Sequence, residues 1–83
     1  MALLEVLLLE VLQIIGLVCG VLGALLVTSR ISRVRAAGFA AWLIGNAAWV
    51  WFAAISGLLY LGVQFGIFWM LAFVGLANNL RGA

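Results

Sequence analysis

FAAWLIGNAAWVWFAAI, from Phe39 to Ile55, sets three tryptophans and one asparagine in an otherwise apolar run. With no charge and no proline, it predicts a helix that crosses a bilayer. At about 100° per residue, Gly38, Trp42, Gly45, Asn46, Trp49 and Ala53 share one face, and Trp51 points to the opposite side. One face is therefore shaped by two indoles with an amide between them. In a spanning helix Asn46 lies near the bilayer midplane. An unsatisfied amide there costs several kcal/mol, so it must meet another helix, water or a ligand.

Working outward, the whole chain has the same character. Its 83 residues are 70% hydrophobic and 7% charged, with ten glycines and no proline. A soluble domain of this size cannot hide so much apolar surface, which predicts an integral membrane protein. The net charge of +2 is carried by scattered arginines and gives no basic face for nucleic acid. One cysteine, Cys19, excludes an internal disulfide and a thiol cluster.

Before the central stretch, MALLEVLLLEVLQIIG carries Glu5 and no basic residue, unlike a secretory signal, and is expected to be retained. The uncharged run Val11–Ser29 is close to the ~20 residues a span requires. On it Gln13, Gly16, Gly20 and Gly23 fall within roughly 80°, with the glycines forming a small-residue packing face. TSRISRVRAAG, from Thr28 to Gly38, reads as a polar loop holding Arg30, Arg33 and Arg35. Ser56-Gly57 permits a turn, and the last apolar run extends from about Leu58 to Ala77.

The expected fold is an all-α membrane bundle of three helices, about 3–29, 37–56 and 58–79, in one domain. Three spans put all four arginines on one side, so the positive-inside rule predicts an outside N-terminus and a cytoplasmic C-terminus. These arginines attract anionic lipid. In the third run Tyr60, Gln64, Phe68 and Leu71 share one face. Gly62 and Gly66 form a GxxxG pair on the reverse, a candidate packing or dimer seam. Gln64 and Trp49 fall in the same half of the bilayer and are expected to face one cavity.

The residue types exclude much chemistry. There is no histidine, lysine or aspartate, no hydroxyl beside a base and no set of metal ligands, so neither an enzyme nor a cofactor is expected. Nor does a carboxylate stand in the second or third run, as a mid-membrane proton carrier requires.

Three spans with GNAAWVWFAAISG, Gly45–Gly57, in the second and an amide in the third resemble the three-helix half-transporters of the PQ-loop superfamily. That superfamily includes the bacterial SemiSWEET sugar transporters and the repeat unit of PnuC-type vitamin-precursor transporters. The resemblance runs from about Leu12 to Leu80. It implies a homodimer enclosing one central cavity, lined by a tryptophan late in the second helix and an asparagine in the third. Trp49 stands at the first position, and Gln64 with Phe65 at the second. The Pro-Gln hinge of the sugar-transporting members is missing, and Thr28–Arg30 stand in its place.

The resulting expectation is a homodimeric transporter in a prokaryotic cytoplasmic membrane, moving an uncharged small solute such as a sugar or nicotinamide-like compound by alternating access. Asn46 and Gln64 would hydrogen-bond the solute while Trp42, Trp49 and Phe68 stack on it. The alternatives are a holin-like pore former and an accessory subunit of a larger membrane complex.

Overall fold

A computed structural model describes residues 2–81 and is entirely helical where regular: α1 Ala2–Val27, α2 Ser32–Ser56 and α3 Leu59–Arg81. All three helices are long and apolar enough to cross a membrane. At 26, 25 and 23 residues they run about 35–39 Å, past the ~30 Å hydrocarbon thickness.

What is buried fits a lipid-solvated bundle. The core consists of Leu12, Ala36, Ala48, Ala53 and Ala72 with several glycines, while Trp51 is 61% exposed and Tyr60 87% exposed. In water this distribution would be inverted. In lipid, large apolar side chains gain nothing by turning inward, and small residues let backbones approach.

The second helix begins earlier than its sequence suggests. The connection from α1 is only residues 28–31, so Arg33 and Arg35 stand in the first turn of α2 and not in a loop. Two local features account for this. The Ser29 hydroxyl accepts the Ile31 N–H at 3.1 Å and turns the chain, and arginine and alanine are good helix formers once it has turned. Arginine near an interface also extends its head group to water without ending the helix. The opposite turn is tighter. Gly57 sits at φ 71°, with Leu58 N–H bonded to Ala53 O at 2.9 Å and Gly57 N–H to Ala54 O at 3.4 Å, a Schellman stop.

The centre of the bundle is α2. It packs against both neighbours, whereas α1 and α3 have no Cα atoms within 8 Å of each other. The molecule is 46 Å long and only 14 Å thick at its thinnest. On one side of α2 the flanking helices therefore leave a cleft between them.

Candidate functional site

The cleft, about 380 Å³, is lined by all three helices. Its floor is the α2 face of Phe39, Trp42, Gly45, Asn46 and Trp49; α1 contributes Gly16 and Gly20, and α3 contributes Phe65, Phe68, Leu71 and Ala72. This volume falls within the range of small-molecule sites. None of these residues carries a charge, an acid, a base or a nucleophile. The arrangement can stack on a solute and hydrogen-bond it, and it holds no group for proton transfer or covalent chemistry.

Glycines on α1 bring the tryptophans in. A methyl group at Gly16 would run into the Trp49 indole, and one at Gly23 into the Trp42 indole. At Gly45 it would meet Cys19 Cβ at 3.1 Å and Gly20 N at 3.3 Å, so α1 and α2 cross almost backbone to backbone. Trp42 Nε1–H donates to the Gly20 carbonyl at 3.0 Å, which fixes that ring and takes its only donor. A methyl group at Gly20 would stand in open space, so this glycine meets α2 through its backbone N–H and carbonyl.

Two aromatic groups bracket the amide. Phe39 and Trp42 meet edge to face at 5.5 Å at one end. At the other, Trp49 stacks on Phe65 at 5.5 Å and 18°, and Phe65 meets Phe68 edge-on at 5.9 Å. Asn46 lies between them, 9% exposed, and its side chain makes no hydrogen bond among the described residues. No fully sealed side-chain nitrogen or oxygen among those residues lacks a partner, so the Asn46 amide remains open to the cleft it lines.

Of the residues expected at a binding site, Trp42, Asn46, Trp49 and Phe68 come together here, and Trp51 points away as projected. Gln64 does not join them. It is exposed and outside the lining, and Phe65, one residue on, takes the place against Trp49. Helical projection puts Phe39 within about 20° of Asn46, so its place on the floor was readable from the 3.6-residue period. The GxxxG pair is divided as well: a methyl group at Gly62 would meet Ala53 Cβ of its own chain at 3.5 Å, and one at Gly66 would stand in open space.

At the arginine-rich end, Arg35 joins three parts of the fold. Its Nε donates to Asn79 Oδ1 at 2.7 Å, Nη1 to Ser29 O at 3.0 Å and Nη2 to Ser32 Oγ at 3.0 Å. Asn79 in turn donates to Gly75 O at 2.7 Å.

No family model, curated protein or solved structure matches this chain. The resemblance to PQ-loop half-transporters is one of sequence pattern alone.

Proposed function

We propose that the chain is one half of a small-solute transporter, which works as a homodimer by alternating access and carries an uncharged molecule. The observation behind this reading is Asn46: a buried amide at mid-helix, without a hydrogen-bond partner among the described residues, on the floor of a cleft walled by aromatic rings. In an apolar medium such a group is retained at a cost unless something bonds it. A solute with a planar or C–H-rich face fits between the rings and completes the amide. The uncharged lining offers no ion-coupling group, so facilitated diffusion is the simplest cycle. A single chain leaves the cleft open between α1 and α3, and a second chain would enclose it.

Uptake by liposomes containing only this protein tests the proposal, with a panel of neutral sugars and aromatic carboxamides as solutes. Asn46→Leu should cut uptake roughly tenfold, the worth of one good hydrogen bond, while the protein stays folded. Trp51→Leu, on the outer face, should leave uptake nearly unchanged. Equal losses from both, or no uptake of any solute, would end the transporter reading.

A further inference from the structure

Each lip of the cleft carries a glutamine. On α1, Gln13 projects within about 60° of the cleft-lining Gly16 and Gly20; on α3, Gln64 projects within about 40° of Phe68 and Leu71. Both side chains are exposed. The Gln64 amide has no hydrogen bond among the described residues, and Gln13 uses one N–H on Leu9 O at 3.2 Å, leaving its oxygen and second N–H free. Free amides facing outward from helices apolar enough to span a membrane are costly in lipid.

The two glutamines are also close to level. Gly16 lies against Trp49, Trp49 stacks on Phe65, and Gly62 faces Ala53. Followed through these contacts, the antiparallel register places Gln13 and Gln64 within about one helical turn, ~5 Å, along the bundle axis. Within one chain α1 and α3 stay apart, with no Cα atoms within 8 Å, and these amides do not bond each other.

We infer that they pair between chains: a second copy closes the cleft, its α1 seated on α3 and its α3 on α1, with Gln13 of each chain hydrogen-bonded to the partner's Gln64. A twofold axis parallel to the helices and passing through the open side of the cleft exchanges the two lips. It sets α1 of one copy opposite α3 of the other and preserves depth, so residues level in one chain are level across the seam. An amide both donates and accepts, so each pair is self-sufficient, and symmetry supplies two pairs. The two Asn46 faces then look into one enclosed space. The inference rests on the homodimer in the proposed function, and it holds whether or not a solute moves.

Disulfide trapping in membranes tests it. Gln13→Cys and Gln64→Cys, each in a Cys19→Ala background and each with its own tag, are co-expressed and oxidised with copper phenanthroline. The expected product joins the two tags, with little product from either variant alone, because the axis sets identical residues on opposite flanks. Gln64→Cys bonding chiefly to itself, or no cross-tag product while energy transfer between labelled chains reports a dimer, would overturn the seam. A monomer by energy transfer would overturn seam and homodimer together. Gln64→Leu should weaken dimerisation about eightfold, two lost bonds of ordinary membrane strength; unchanged dimer affinity would count against the pairing. Solute uptake is read in a separate assay, so failure of transport and failure of the seam fall on different measurements.

Discussion

At the scale of single residues, the glycines of α1 have separate roles. Gly16 and Gly23 are spaces filled by Trp49 and Trp42, whereas Gly20 has nothing within 4 Å of where a methyl group would stand. Gly16→Ala should therefore cost about 1–3 kcal/mol through overpacking, and Gly20→Ala should be close to neutral. Reversible unfolding in mixed detergent micelles would compare them, and equal effects would contradict this division. In sequence the glycines form one stripe, because projection shows which residues share a side but not what stands opposite. The same limit applies to Gln64. Its face was legible from the helical period, but its reach was not: Phe65 meets Trp49, while Gln64 falls on the lip. Trp42, Asn46 and Trp49 were legible as one face because the helical period alone groups them and an amide at mid-helix must meet something.

At the scale of elements, the Arg35 guanidinium ties the start of α2 to the end of α3 and to the turn after α1. Its planar fork makes three bonds that a lysine cannot reproduce. Arg35→Ala should destabilise the bundle by about 1–3 kcal/mol, and Arg35→Lys should restore little of it. Arg33→Ala, at an exposed position in the same turn, serves as the control; thermal melts in lipid nanodiscs would rank the three. A loss from Arg33→Ala equal to that from Arg35→Ala would point to net charge and not to the clamp. Charge led the sequence reading to a loop here, since arginines near a membrane boundary count toward topology before they count as helix formers. The partner, Asn79, lies 44 residues away, and nothing local announces it.

At the scale of the whole molecule, the arginines gather at one end of the bundle, and Glu5 stands in the first turn of α1 at the other. By the positive-inside rule the α1 start should face outward. A membrane-impermeant thiol reagent should then label Ala2→Cys in intact cells and spare Ala83→Cys, a position outside the described residues; the opposite pattern would invert the orientation. Three spans were legible from apolar length alone, but their lateral order was not, because apolar runs carry no sign of which neighbour they choose. The order found is that of the chain itself, with α2 between α1 and α3. On leaving the ribosome, α2 and then α3 each meet an earlier neighbour already in place, and no helix waits for any but the next one before it packs. Assembly can proceed as a sequence of two docking events between adjacent segments, with short loops to close and no long-range search.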